Sequence, residues 1–276
     1  MRLFNKVAVV GIGLIGGSLA AAIKKKRLAQ EVLGVSRHKK TLLLAKKSGL
    51  IDKGSQDIHI IKDADLVILA TPVETIMNLA PVIARIIRPG CIVIDVGSTK
   101  QEIVSKLGKF FAYYVGSHPL AGSEKRGILN AHPDIFKNSL CILTPTKNTH
   151  KGALEKIKRF WQALDTKVIL LRPGLHDRIL SGVSHLPHIV AFSLINSIPK
   201  KYLKFSSTGL KATTRIALSD HKLWADIFLS NQKNTLKAID SFGGHLRQVK
   251  SAIQRKDRRL LSRILKKAKA KRKILS

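Results

Sequence analysis

His118 stands in Gly116-Ser117-His118-Pro119-Leu120-Ala121-Gly122-Ser123-Glu124, at the end of an apolar run and inside a glycine-flanked turn. An imidazole titrates near ~6.5, so at neutral pH it can accept the proton of an alcohol as hydride leaves the carbon. A histidine so placed could equally cap a turn, and the upstream sequence separates the two readings. Gly11-Ile12-Gly13-Leu14-Ile15-Gly16 follows the apolar run 6–10 and precedes a helical stretch over 18–26. In that setting Gly11 permits a tight turn and Gly13 lets the backbone approach a diphosphate. Gly16 packs the helix on the strand, and the diphosphate rests on the helix N-terminus.

Ile12, Leu14 and Ile15 complete this candidate dinucleotide loop, and Thr71, closing the strand 65–70, lies where open α/β sheets bind ligands. The second strand, 31–36, ends in Ser36-Arg37-His38-Lys39-Lys40. An acidic residue there would receive the ribose hydroxyls, but Glu31 lies at the wrong end and Asp52 is too far on. Ser36 and Arg37 can both donate to a 2′-phosphate, which predicts NADP as the preferred cofactor. NAD stays open if Arg37 only stacks on the adenine. His185 and His188, three apart on a helix, share a face but have no acidic or cysteine neighbour, so no metal is expected.

These residues need a scaffold, and the first half supplies one. Strands at 31–36, 65–70, 91–96, 113–115, 140–143 and 167–171 alternate with helices at 38–47, 74–87 and 151–164. The pattern predicts a doubly wound, Rossmann-type parallel sheet with an antiparallel edge. After Arg172-Pro173-Gly174 only helical periodicity remains: a buried helix apolar on most sides around 179–194, then helices over 220–242 and 246–273. The expected organisation is a dinucleotide-binding domain over 1–172 and an all-helical substrate and dimerisation domain over 173–276. About 100 helical residues are hard to stabilise alone, which predicts a homodimer. Residues 1–22 also resemble a secretory signal, with Arg2, Lys6 and Ala20-Ala21-Ala22. The glycine content, the Lys24-Lys25-Lys26-Arg27 run and the loss of the first strand on cleavage argue against it.

Apolar residues make up 45% of the 276 residues, which suits a filled core rather than disorder. No uninterrupted apolar run reaches the ~18 residues of a membrane helix, so no membrane partner is expected. Cys91 and Cys141 sit in apolar strand-like runs and read as buried thiols of a reducing compartment, predicting a cytoplasmic protein. The charge is lopsided: 50 Lys+Arg against 17 Asp+Glu, net +33. Lysines are spread over the helices, densest from Arg247 to Lys273, without aromatic interleaving or a nucleic-acid motif. The expectation is a basic surface that steers anionic ligands, with no nucleic-acid partner; a basic nucleic-acid-binding protein is the non-enzyme alternative.

Taken in order, GxGxxG, Asp95-x-Gly97-Ser98-x-Lys100, the His118 segment, Leu175-His176-Asp177, Ser184-His185-Leu186-Pro187-His188, Thr214-Arg215-Ile216-Ala217 and Trp224-x-x-Ile227-Phe228 form a set. It resembles the prephenate/arogenate dehydrogenases of tyrosine biosynthesis over residues 7–243. The resemblance implies NAD(P)-dependent oxidative decarboxylation of prephenate to 4-hydroxyphenylpyruvate: hydride leaves C4 of a cyclohexadienol, and the ring carboxylate departs as CO2 on aromatisation. It further implies that His118 accepts the hydroxyl proton and that Ser98 aligns imidazole or hydroxyl. Arg215 would bind the ring carboxylate, while His188, His185 and Trp224 lie about the substrate side chain. A cationic His188 would suit the pyruvyl group of prephenate; arogenate is the alternative substrate. Many relatives carry an acid where Ala212 stands, which bears on how Arg215 is oriented. The length implies neither a fused chorismate mutase nor a C-terminal ACT domain, so feedback through such a domain is not expected. Another NADP-linked hydroxyacid dehydrogenase is the enzyme alternative, though no glycine-rich motif frames a catalytic lysine.

Overall fold

Apolar residues fill both faces of strand β1 (Phe4–Val10): Val7 and Val9 enter one core, Ala8 and Val10 the other. Burial on both sides is why the run reads as continuously apolar rather than alternating. In the computed structural model, which describes residues 2–122, 125 and 127–275, β1 is central to an eight-stranded sheet. Ser123 and Glu124 of the His118 segment lie outside the described residues. The other strands are β2 (Ala29–Val35), β3 (Lys53–Ser55), β4 (Leu66–Leu69), β5 (Ile92–Asp95), β6 (Tyr114–Pro119), β7 (Leu140–Leu143) and β8 (Lys167–Leu170). Their order is β3-β2-β1-β4-β5-β6-β7-β8. The first six are mutually parallel; β7 runs against β6, and β8 follows β7.

Helices α1 (Leu14–Lys25), α2 (Lys39–Lys47), α3 (Val73–Ile86), α4 (Gln101–Leu107) and α5 (Lys151–Ala163) connect the strands. The order reverses between β1 and β4, and ligand crevices open beyond the carboxyl ends of strands at such a switch. The loops after β1, β4, β5 and β6 therefore share one edge of the sheet. The stretch that resembled a signal sequence supplies β1 and α1, whose Val7, Val9, Leu19 and Ile23 have no exposure.

By compactness the chain forms two units, Met1–Asn231 and Gln232–Ser276. The first holds the sheet and also α6 (Pro173–Leu180), a π-helical turn (Ser181–His185), α7 (Leu186–Asn196), α8 (Thr208–Thr214) and α9 (His221–Ser230). The second holds α10 (Gln232–Gln254) and α11 (Arg258–Arg272). Two expectations need correction. The predicted break near Gly243-Gly244 is absent: both glycines lie inside α10. An interior glycine costs only about 1 kcal/mol relative to alanine, which a 23-residue helix absorbs. The chain breaks instead at Lys256, with φ +51°, and at Asp257, whose carboxylate accepts the Leu260 N–H at 2.8 Å to start α11. The apolar helix α7 is also not buried within one chain, since only its Ala191 is. Residues Pro173–Asn196 are long and apolar enough to cross a membrane, yet His176 and Asp177 in this stretch are buried and hydrogen-bonded to groups on the sheet domain.

Candidate active site

The glycine loop fits a dinucleotide on three separate observations. Gly11 has φ +100°, and a Cβ on it would lie 2.6 Å from the Ala70 carbonyl oxygen. A Cβ on Gly16 would sit 1.9 Å from the Gly11 carbonyl oxygen, whereas one on Gly13 meets nothing within 4 Å. The loop is thus closed where strand and helix pack and open where a diphosphate would approach. Gly13 caps α1 without a side-chain bond and no acid occupies the first turn, so among the described residues no side chain competes with an anion for the helix N-terminus. Third, the Thr71 hydroxyl is buried and, among the described residues, finds no hydrogen-bond partner, an orphan that a ligand would satisfy. Ile12 turns its side chain into the core, leaving only its backbone to the loop, while Leu14 and Ile15 stay partly exposed.

At the end of β2, Ser36 accepts the His38 N–H at 3.2 Å and the Arg37 carbonyl accepts from Gln56 at 2.7 Å, with the Arg37 side chain exposed. The two acids weighed from sequence are committed elsewhere. Glu31 pairs with Lys53 at 2.7 Å, and Asp52 pairs with Lys24 and accepts the Val32 N–H at 2.8 Å.

Beyond β5, the turn holding Ser98 is built on a buried ion pair between Asp95 and Lys100, both without exposure. Asp95 also accepts from the Tyr114 hydroxyl at 2.6 Å and from the Gly97 N–H at 2.9 Å. Asp95 thus holds the turn from within while Asp177 takes the Lys100 and Gln101 N–H groups, and the turn delivers Ser98 and the start of α4 to the carboxyl edge of the sheet.

His118 lies in β6 at 9% exposure, its register fixed opposite Ile142 of β7. Its Nδ1 is 2.8 Å from Nε2 of His176, and His176 Nδ1 is 2.8 Å from Asp177 Oδ1. The imidazole is held through Nδ1 by His176, where the sequence reading gave alignment to Ser98. Burial, then the charges of His176, Lys100 and His185, push His118 well below the usual imidazole range, so the ring is neutral at physiological pH. Burial raises the Asp177 carboxyl, but bonds from His176 and the N–H groups of Gln101 and Lys100 outweigh that and hold it below its ordinary value.

The helical side of the site continues through the π-turn, a device that recurs at functional sites because the extra residue re-aims side chains. His185 is buried at its end, takes an N–H from Asn231 at 3.3 Å, and is driven down to about 4 by burial. His188 donates from Nδ1 to the Ser184 carbonyl at 3.0 Å and stacks on Trp224, ring centres 3.4 Å apart and planes 21° apart. Trp224 meets His185 edge-on at 6.2 Å. Burial and the nearby Arg215 charge lower His188, against the opposing effect of its Ser184 bond. Arg215 opens the 3-10 turn after α8 and is exposed, as is Ala212. Lys100, His118, His176, His185, His188 and Arg215 thus form a run in which each group feels the next. Sequence reasoning did not assign Asp95, Tyr114, Asn231 or the His176–Asp177 pair. The last stood in the sequence as the motif Leu175-His176-Asp177, without a role.

Comparisons with known proteins identify the family. The family domain described as "Prephenate dehydrogenase, nucleotide-binding domain" matches residues 19–170, and "Prephenate dehydrogenase, dimerization domain" matches residues 172–267. The chain is 34% identical to prephenate dehydrogenase of Bacillus subtilis, over 96% of this chain and 74% of that one. It superposes with TM-score 0.94 and 34% identity on the crystal structure of prephenate dehydrogenase from Aquifex aeolicus in complex with hydroxyphenyl propionate and NAD+, covering 99% and 98% of the two chains. Arogenate dehydrogenase from Synechocystis gives TM-score 0.85 and 29% identity, covering 98% of this chain and all of that one.

Proposed function

The chain belongs to the prephenate dehydrogenase family, and from that premise we propose that it oxidatively decarboxylates prephenate to 4-hydroxyphenylpyruvate. The observation that carries the chemistry is a neutral, buried His118 on the sheet edge that also bears the glycine loop. A bound nicotinamide dinucleotide supplies the hydride acceptor. His118 Nε2 accepts the proton of the C4 hydroxyl, with Ser98 on the neighbouring turn to orient that hydroxyl. Arg215 presents a planar fork to the ring carboxylate until it leaves as CO2. His185, pinned by Asn231, and the stacked pair His188–Trp224 form the wall for the side chain.

Arg37 and the paired state of Glu31 and Asp52 support NADP as the preferred cofactor. One observation favours arogenate as the second reading. His188 gives its Nδ1 proton to Ser184, so a neutral ring offers an acceptor at Nε2, which suits an ammonium better than a pyruvyl carboxylate. A direct bond from His188 to a pyruvyl carboxylate would need the protonated ring, which burial and Arg215 oppose. The uncovered α7 supports a homodimer, and the buried free thiols of Cys91 and Cys141 support the cytoplasm. In this reading the dinucleotide-binding part is 1–172 and the substrate and dimerisation part 173–276.

The test is the absorbance of reduced cofactor with each substrate and each oxidised cofactor, in wild type and His118→Asn. The expected result is turnover of prephenate with NADP, and a loss of at least ~100-fold in kcat for the variant, as removal of a general base gives. Undiminished turnover in His118→Asn would remove His118 from the reaction.

A further inference from the structure

Behind His118 stands a carboxylate ringed by donors. Asp177 Oδ1 receives the Lys100 N–H at 2.7 Å and His176 Nδ1 at 2.8 Å, and Oδ2 receives the Gln101 N–H at 2.9 Å. A carboxylate used as an acceptor on both oxygens is ionised, so the proton between it and His176 belongs to the imidazole Nδ1. A neutral imidazole has one ring proton, which leaves His176 Nε2 as a lone pair. The 2.8 Å bond from that nitrogen to His118 then carries its proton on His118 Nδ1. His118 Nε2 is left as the basic lone pair. Asn231 fixes the helix segment by donating to the Asp177 carbonyl at 2.8 Å.

We propose that His176 and Asp177 are positioning residues that lock His118 in its Nδ1–H tautomer and draw the reaction's positive charge one residue back. The step rests on the reading of His118 as the base. The substrate O–H bond breaks and an N–H bond forms at His118 Nε2, while hydride leaves the same carbon for the nicotinamide. The His118 Nδ1 proton passes to His176 Nε2. The charge then lies on the His176 imidazolium, whose Nδ1–H already faces the Asp177 carboxylate. Both rings feel Lys100 and His185, but among the described residues only His176 has a carboxylate in contact, Asp177 at 2.8 Å, to offset them.

The test begins with protein carrying 15N-histidine and no cofactor or substrate, in which ring nitrogen shifts report the tautomer. Wild-type His118 is expected to be protonated at Nδ1, and His176→Phe to release it to a mixture of tautomers. In the assay, His176→Gln, whose amide oxygen can still accept the His118 Nδ1–H but cannot take its proton, is expected to lower kcat at least ~10-fold, and His176→Phe by up to the ~10⁴-fold seen when a triad histidine takes the wrong tautomer. Dinucleotide Kd should stay within twofold. A proton inventory in mixed H2O and D2O should change from bowed to straight as the second proton drops out of the step. Wild-type His118 protonated at Nε2 would overturn the proposal, as would His176→Gln with wild-type kcat and inventory. If either variant fails to fold, the wild-type spectrum still decides. Full activity in His118→Asn would instead sink the base assignment while leaving the tautomer result standing.

Discussion

Arg37 leaves β2 exposed at the position where a dinucleotide fold meets the adenosine ribose, and the acids nearest in sequence are already paired to lysines. A guanidinium there can bond a 2′-phosphate with charge assistance, an interaction of about 1.5–3 kcal/mol. Reversing the charge should therefore reverse the choice. In Arg37→Asp, kcat/KM with NADP is expected to fall at least ~10-fold while that with NAD holds or rises, since the carboxylate can accept ribose hydroxyls. Steady-state kinetics with both cofactors checks this; an unchanged NADP/NAD ratio would move cofactor discrimination away from the end of β2. A second expectation concerns acid. Burial lowers His185 from 6.5 to about 4 and His118, His176 and His188 also lie below their ordinary values, so the folded state binds fewer protons than the unfolded chain below about pH 6.5. Stability contributed by keeping these rings neutral is full above that pH and is lost as pH falls toward 4. Urea midpoints should accordingly drop between pH 6.5 and 4, and less so in His185→Gln; a flat profile there would contradict the buried-neutral reading.

Among the elements, the loop between β1 and α1 separates folding from binding by single atoms. A methyl on Gly16 collides with the Gly11 carbonyl at 1.9 Å, whereas one on Gly13 meets open space. Gly16→Ala should lower Tm and abolish dinucleotide binding together. Gly13→Ala should leave Tm within the small range of a neutral substitution yet weaken binding, because its methyl projects where the diphosphate must approach. Calorimetry beside NADPH fluorescence titration distinguishes them, and equal losses of Tm would refute the assignment of the gap. This loop was legible in sequence because its glycines answer to local backbone demands. So were the long apolar strands, whose two buried faces leave an unbroken signature. The strand β3 and the helix α4 were not: β3 has three residues, and its Lys53 and Gly54 carry little apolar signal. The contact between His118 and His176 was hidden for another reason. Long-range partners leave no periodicity, and 58 residues separate the two histidines that meet. The π-turn is likewise invisible, since an extra residue in a helix shifts the phase without changing composition.

Across the whole molecule, a helix that is apolar all round belongs in an interior. In a single chain, however, only Ala191 of α7 is buried, and Val183 on the π-turn before it is 68% exposed. A second copy related by a twofold axis would cover such a face with the same face, since a self-complementary patch closes on itself. The net charge of +33 sets a condition on that contact, because like-charged surfaces repel and the apolar area must outweigh them. Val183 gives a clean test, for at this exposure a substitution removes little from the packing of one chain. If the protein were a monomer, Val183→Asp would be close to neutral, as surface changes usually are. If α7 and the π-turn form the seam, the aspartate is buried without a partner in the dimer. Sedimentation should then show monomers, and Tm should fall and lose the rise with protein concentration that a dimer shows. Raising salt should tighten the wild-type dimer by screening the lysine-rich surfaces without rescuing the variant, since a buried charge is screened much less. A Val183→Asp protein that sediments as a dimer with wild-type Tm would place the seam elsewhere on the helical half.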